Sequence, residues 1–304
     1  MIKQISMTKA SKHVPRPSLA CEIAADRVLA GRASDSGRTV EVCSAHELAP
    51  GMVVPDLTES NLRDGSAVRQ AVQSALENVG GRGRDVVAVL PDTAVRVVLL
   101  DFETLPDKPD EAEAVVRFRL KKSLPFSVDE ARISYHAQTA PTGVRLVAAV
   151  VLNKVLEEYE SVFRDAGYSP GVVMPSMLAA LGAAGADRPT LVVKVDARTI
   201  SIAILDQEQL LLFRTLENVR GVTIGAEQLA EEVYPSVVFF QDTYSLNIAR
   251  IYIAGLPEAG GAAAALKAQT GAQVEELVAA SQLSASNGSV PRWRMAGVVG
   301  ALVS

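Results

Sequence analysis

The sequence predicts an α/β chain in which one unit, three strands followed by a helix and a strand, occurs twice, with a small α+β block set into the first copy. Three observations predict it. Strand-sized apolar runs alternate with segments of helical periodicity along nearly the whole chain. The order of elements that begins at Ser18 begins again at Leu191, about 170 residues further on, with negligible sequence identity between the copies. Between the copies the rhythm changes to a strand, a hairpin and two alternating helices.

The first copy opens with residues 19–24, 27–33 and 39–48, short runs separated by polar or glycine-containing turns and read as strands. After a loop with Pro50, Gly51 and Pro55, apolar Val68, Val72, Ala75, Leu76 and Val79 recur at helical spacing, and Gly80-Gly81 ends the helix. Residues 86–90 are a continuous apolar run, the mark of a buried strand. The inserted block has a strand over 95–102, then a helix that opens at Pro109 and ends at Lys121-Lys122. That helix has Asp110, Glu111 and Glu113 where its dipole favours acids, and the lysines where it favours bases. A hairpin over 133–138 and 144–152 and a second helix over 153–166, stopped by Gly167, complete the block. The second copy has strands at 191–195, 199–205 and 209–216, then a long helix carrying Ile224, Leu229, Val233, Val237 and Phe240, with a kink expected at Pro235. A strand at 251–254 and helices at 259–269 and 292–302 follow. The predicted division is a basic leader over 1–17, a first core subdomain over 18–92 and 168–187, an inserted subdomain over 93–167, and a second core subdomain over 188–304.

The chain has 304 residues, 48% hydrophobic and 21% charged, with a net charge of −5. Such a composition excludes a largely disordered chain, a collagen or a coiled-coil rod. The mildly acidic balance argues against a dedicated nucleic-acid binder. Two cysteines, Cys21 and Cys43, make no disulfide framework, so the expected compartment is reducing and cytosolic. No run approaches the roughly 20 apolar residues of a membrane span. The leader carries Lys3, Lys9, Lys12 and Arg16 without an apolar core, which excludes a secretory signal. It reads either as a disordered arm or as a basic arm resting on anionic lipid. His13, His46 and His136 have no metal spacing, and Cys43-x-x-His46 lacks a second pair of ligands. Gly80-Gly81-Arg82-Gly83-Arg84 follows a helix and lacks the P-loop lysine, so it is a helix-ending loop.

Two motifs in the inserted block carry a family resemblance. Val97-Val98-Leu99-Leu100-Asp101-Phe102-Glu103-Thr104-Leu105-Pro106 leads into Asp110-Glu111-Ala112-Glu113-Ala114-Val115-Val116, a strand, Leu-Pro and an acidic helix start. Lys122-Ser123-Leu124-Pro125-Phe126 and then Asp129-Glu130-Ala131 through Tyr135 are a helix end and the strand after it. In this order they resemble the PilM family, actin-like cytoplasmic proteins of type IV pilus assembly related to the division protein FtsA and the type II secretion protein GspL. The resemblance spans nearly the whole chain from Ser18. It implies an actin-like fold, a duplicated RNase H-like βββαβα core with an inserted α+β subdomain.

The same resemblance locates a nucleotide cleft, and the sequence departs from it there. The first phosphate hairpin of the family resembles Asp-Ile-Gly with small hydroxyl residues, which let backbone N–H groups approach a phosphate. Here it reads Glu22-Ile23-Ala24-Ala25-Asp26-Arg27, with no glycine and a second acid. The second hairpin falls on Lys194-Val195-Asp196, or with the register slid, on Asp196-Ala197-Arg198. The glycine-rich adenosine turn becomes Gly255-Leu256-Pro257-Glu258-Ala259-Gly260-Gly261. The subdomain that walls the cleft in relatives has no room between residues 244 and 251. The expected vestigial cleft therefore comprises Glu22, Ala24, Asp26, Asp196, Arg198, Gly255, Gly260 and Gly261. No catalytic residue, metal or cofactor is expected, ATP–Mg being the one candidate ligand. A working ATPase or phosphotransferase is the alternative. Glu22 best supports it, unless that residue simply pairs with Arg27 or Arg198.

The resemblance further implies a scaffold, peripheral on the cytoplasmic face of the inner membrane. It would hold the N-terminal tail of a bitopic PilN-like partner in a groove between the first core and inserted subdomains. Pilus assembly ATPases and self-association into a ring are further partners it suggests. The lack of a transmembrane run favours the pilus protein over GspL, which carries its own anchor. On the first inserted strand, Val95, Val97 and Leu99 share one face and Arg96, Val98 and Leu100 the other. Two helices would leave part of a small sheet uncovered, so an apolar patch is expected there. Phe118 and Phe126 would supply its pockets and Arg117 and Lys121 its cationic edges, with Arg96 and Leu100 beside them; the alternative is that both phenylalanines are core.

Overall fold

Buried apolar runs separated by tight turns build the first sheet. β1 (Leu19–Ile23), β2 (Arg27–Ala33) and β3 (Val40–Glu47) form an antiparallel meander; α1 (Gly65–Val79) follows, and β4 (Asp85–Leu90) returns parallel to β1. The computed structural model describes residues 16–140, 143–284 and 290–303. The leader expected over 1–17 thus lies almost wholly outside the described residues, as does His13. The inserted elements are β5 (Arg96–Phe102), α2 (Pro109–Leu120), β6 (Ala131–Ala140) and β7 (Gly143–Leu152). The chain then runs through α3 (Asn153–Asp165), β8 (Ser169–Pro175) and α4 (Ser176–Ala180).

The second copy comprises β9 (Thr190–Val195), β10 (Thr199–Asp206), β11 (Gln209–Glu217), α5 (Ala226–Tyr244), β12 (Arg250–Ala254), α6 (Ala259–Thr270) and β13 (Gln273–Glu276), followed by α7 (Ala296–Val303). The two main sheets have the orders β3-β2-β1-β4-β8 and β11-β10-β9-β12-β13, the same topology twice. The duplication expected from the sequence is thus present, and each copy adds an edge strand that the periodicity did not reveal. β8 carries Pro170 and Gly171, and β13 is short and largely exposed; both suit an edge, where an unpaired N–H is not needed. α5 continues through Pro235 as one helix and meets β12 through residues 245–249, with no further sheet inserted there.

Three elements pack differently from the sequence reading. α3, read as part of the inserted block, buries Val155, Tyr159, Val162 and Phe163 against α1 in the core of the first unit. The buried Tyr159 hydroxyl donates to Asn61 Oδ1 at 3.0 Å, which ties the helix there. α7, read as the end of the second unit, lies with α4 over the first sheet, against Ala20, Leu29, Val87 and Val89. This core is continuous with Val192, Ala203 and Leu205 of the second sheet, so α4 and α7 are shared between the units.

The inserted sheet, in the order β5-β7-β6, carries α2 on one face, where Val116 and Leu120 cover Leu100, Leu146, Ala148 and Val150. Its other face is not left as an apolar patch: Leu99 and Val147 join the shared core. Gln138 exchanges two hydrogen bonds with the Leu210 backbone, at 2.6 and 3.1 Å, and Arg145 donates to Tyr244 Oη at 2.6 Å. The second unit itself covers that face.

The α4–α7 crossing is close enough to require glycine. A Cβ at Gly300 would lie 2.1 Å from the Ala179 carbonyl oxygen, a backbone atom that cannot rotate away. Gly300→Ala is expected to lower stability by about 1–3 kcal/mol. Gly65→Ala, where a Cβ meets no atom within 4 Å, changes it little; chemical denaturation of both variants checks this.

Candidate functional site

The two units meet where their first hairpins turn. Ala24 N–H donates to Arg27 O in the first and Asp196 N–H to Thr199 O in the second, both at 2.8 Å. Strand register makes the hairpins equivalent, with Ile23 opposite Val28 in one and Val195 opposite Ile200 in the other. Glu22 therefore corresponds to Lys194, and Ala24 to Asp196, which settles the register of the second hairpin on Lys194-Val195-Asp196.

These side chains pair across the junction. Lys194 Nζ lies 3.6 Å from Glu22 Oε1 and donates to Asp196 Oδ2. Arg27 reaches Asp26 at 2.7 Å and Asp196 at 3.3 Å. Ser176 Oγ donates to Glu22. Glu22 thus pairs with Lys194 and Ser176, not with Arg27 or Arg198 as read from the sequence, because Arg27 turns to Asp26 and Asp196. Next to this network, Asp92 accepts from Met177 N–H at 2.8 Å and from Ser201 Oγ at 2.6 Å, joining α4 to β10.

Charge compensation decides the protonation states. Burial opposes the Lys194 charge, but Asp196, Glu22 and Asp92 outweigh it and hold the ammonium above the usual lysine range. Burial likewise opposes the Asp196 carboxylate, and Lys194 and Arg27 overcome it, keeping that residue below the usual range. Asp92 goes the other way: burial pushes its carboxyl up to about 6, against the opposing pull of Lys194 and its own hydrogen bonds. Among the described residues, Glu22 Oε2 and Arg27 Nε, both buried, have no hydrogen-bond partner.

Glu22, Ala24, Asp196 and Arg198 line the gap between the hairpins together with Pro91, Asp92, Thr93, Ser176 and Thr199. The gap measures about 20 Å³, room for about one water, whereas ligand pockets run to roughly 300–1,000 Å³. Asp26 sits beside it. Gly255 adopts φ +86° at the end of β12, where a Cβ would stand 1.7 Å from Val195 O. Gly260 and Gly261 lie in the first turn of α6, with Gly261 facing Ala226 of α5, and do not line the gap. Arg27, Asp92, Lys194, Ser176 and Ser201 were not singled out as site residues. Asp92 had a signal, since it follows a buried parallel strand at its carboxyl end, where α/β sheets place their sites.

The second set of candidates is split by the fold. Leu100 is buried beneath α2, and Phe126 is half-buried between the inserted and first-unit cores. Phe118 is 69% exposed on α2. Arg117 pairs with Glu113 at 2.9 Å and donates to Val128 O at 3.0 Å, and Lys121 caps the helix from the solvent side. Arg96 is exposed at the start of β5.

Two equivalent sheets, joined by two central helices and facing each other through their first hairpins, define an actin-like ATPase fold. A chain of a solved PilM–PilN type IV pilus biogenesis complex shares it with a TM-score of 0.77, at 20% identity, over 95% of this chain and 98% of that one. The cytoplasmic domain of EpsL, an inner membrane component of the type II secretion system of Vibrio cholerae, matches with a TM-score of 0.53 and 11% identity, over 93% of this chain and 92% of that one. A Bacteroides thetaiotaomicron protein with an actin-like ATPase fold and unknown function matches with 0.52 and 10%, over 84% of this chain and 89% of that one. No protein-family model and no curated protein sequence matches this chain.

Asp92 makes stability depend on pH in a definite direction. Its folded pKa lies above its unfolded one, so its stabilising contribution is present below the usual carboxylate range and is lost as pH rises through about 6. Asp92→Asn should therefore be more stable relative to wild type at pH 7.5 than at pH 4.5, read as the difference in urea midpoint at the two pH values.

Proposed function

We propose that this protein is a non-catalytic scaffold of a type IV pilus inner-membrane assembly platform, holding the cytoplasmic N-terminal tail of a bitopic PilN-like partner. The observation that carries the proposal is the likeness to a chain of a PilM–PilN type IV pilus biogenesis complex over nearly the full length of both chains. Among the described residues no helix is long and apolar enough to cross a membrane. Peripheral attachment through the partner supplies the membrane location in this reading. Assembly ATPases and further copies of this chain, arranged in a ring, are the other partners proposed. A secretion-system role like that of EpsL is the second reading, favoured by the weaker likeness to that domain.

The non-catalytic part rests on the gap between the hairpins. A nucleotide-hydrolysing site needs a phosphate cradle, a carboxylate free to act on the metal and space for the ligand. Here Ala24 and Asp196 stand where glycines would admit a phosphate, and Asp196 and Glu22 are engaged by Arg27 and Lys194. The gap is about one water in size. Millimolar ATP–Mg is expected to leave the melting temperature unchanged, whereas a Kd tenfold below the ligand concentration would stabilise the fold by about 1.4 kcal/mol.

For the partner tail, the exposed side of α2 supplies an apolar contact, Phe118, with Arg117 and Lys121 as polar anchors and the half-buried Phe126 packed on both neighbouring cores. Charge reversal of both cations, Arg117→Glu with Lys121→Glu, should weaken capture of the PilN-like tail peptide at least about tenfold. Wild-type affinity in the folded double variant would move the docking site elsewhere.

A further inference from the structure

Two helices present uncovered apolar side chains to solvent, and the charges around them are opposite in sign. α5 contains no lysine or arginine, and its Glu227, Glu231, Glu232 and Asp242 are exposed. Among these acids stand Tyr234, 49% exposed, and Phe239, 55% exposed, with Pro235 and the half-buried Val238 between them. Tyr234 and Val238, and likewise Pro235 and Phe239, are neighbours one turn apart. Pro235 also leaves the Glu231 carbonyl without the N–H four residues on, which puts a free acceptor on the same face. On α2 and the turn after it, Val115 neighbours Arg119 and Phe118 neighbours Lys122 by the same spacing, all four exposed. Arg119, Lys122 and the four acids of α5 take no hydrogen bond or ion pair among the described residues.

The layering of the molecule sets these faces apart. α2 covers one face of the inserted sheet. The other face of that sheet rests on the second unit, where Leu99 and Val147 join the core that holds Leu210 of β11. α5 lies on the opposite side of the second sheet, with Val233 and Val237 over Ile200, Ile202 and Leu212. The order of layers is therefore α2, inserted sheet, second sheet, α5, and the two exposed faces point away from each other. Within one chain they do not meet. Between copies, α5 against α5 would set acid on acid and α2 against α2 base on base, both penalised by like charge. Only α2 against α5 matches apolar centre to apolar centre and base to acid, and a contact between two different patches is head to tail.

We propose that the α2 face around Phe118 of one copy docks on the α5 face around Tyr234 and Phe239 of the next, with Arg119 and Lys122 set against Glu231 and Glu232. The proposal deepens the self-association named under the proposed function and rests on that part of the reading, whose surfaces it assigns. Arg117 and Lys121, the anchors proposed for a partner tail, lie on the other flank of Phe118 by helical spacing. A single helix-on-helix contact belongs to the small end of interface sizes, so the association is weak and concentration-dependent.

Sedimentation velocity of the full chain, from micromolar to millimolar, is expected to show reversible association that weakens as salt is raised. Arg119→Glu with Lys122→Glu should weaken it at least about tenfold, and so should Glu231→Lys with Glu232→Lys. The chain carrying all four reversals should associate again, a recovery that mere damage to either helix would not give. A wild type that stays monomeric, a reversal without effect or a fourfold variant that stays dissociated overturns the proposal. Circular dichroism checks the fold of each variant. Should a reversed chain fail to fold, Phe118→Ser and Phe239→Ser take its place. Each alone should be monomeric and their mixture should form a heterodimer and nothing larger; a mixture that stays monomeric overturns the proposal. The α5 reversals leave α2 whole, so capture of a tail peptide is read separately. Absent capture with self-association intact removes the tail reading and leaves this one standing.

Discussion

The turn of β1 and β2 and the turn of β9 and β10 meet face to face, and the charges exchanged between them hold the two halves in one relation. Glu22–Lys194 and Arg27–Asp196 cross the junction in opposite senses, so each hairpin contributes one acid and one base. Buried pairs of this kind add little net stability over an apolar filling, because desolvation offsets most of the attraction. Loss of one member, by contrast, costs about 3–5 kcal/mol. The physical effect is thus selective: a closed packing that breaks one of these pairs leaves a buried charge uncompensated and is disfavoured. Asp92 reinforces the selection by fixing the start of α4 to β10.

Around that junction the molecule is organised as layers that share material. α4 and α7 fill the space between the two main sheets and belong to a core drawn from both units. The inserted sheet leans on the second unit, with Gln138 extending the backbone pairing of Leu210 as a strand would. Arg145 stands between Asp101 and Tyr244, salt-bridged on one side and hydrogen-bonded on the other. Each boundary is therefore spanned by at least one directional interaction as well as apolar contact. α2 faces outward on the far side of the inserted sheet, which puts Phe118 on the periphery.

Most strands and helices were legible in the sequence because their apolar spacing is determined by local geometry. The run ending at Leu90 and the helix ended by Gly80 are of this kind, whereas the register of the second hairpin stayed open until the strand pairing fixed it. Destination was not legible. The amphipathic stripe of α3 states that one face is buried, yet nothing in Val155, Tyr159 and Phe163 says whether α1 or the inserted sheet covers it. The pairing in the site is hidden for the same reason. Glu22 has Arg27 near it in sequence, but the arginine turns outward to Asp26 and across to Asp196, and the lysine that Glu22 meets lies in the other copy. β8 and β13 were missed because edge strands do not need the alternation or β-branched content by which central strands announce themselves.

The position of α7 also has a consequence for biosynthesis. The helix formed by residues 296–303 covers the face of the first sheet that begins at Leu19, and Gly300 packs against Ala179 with no space to spare. A chain emerging from the ribosome amino-terminus first therefore exposes Leu29, Val87 and Val89 until residues 296–303 have been added. The first unit is drafted early and completed only when α7 joins it, after the second unit has been made, so its folding does not proceed domain by domain. Throughout that interval the uncovered face is an apolar surface of the sort that chaperones engage, and a chain lacking residues 296–303 would keep it exposed.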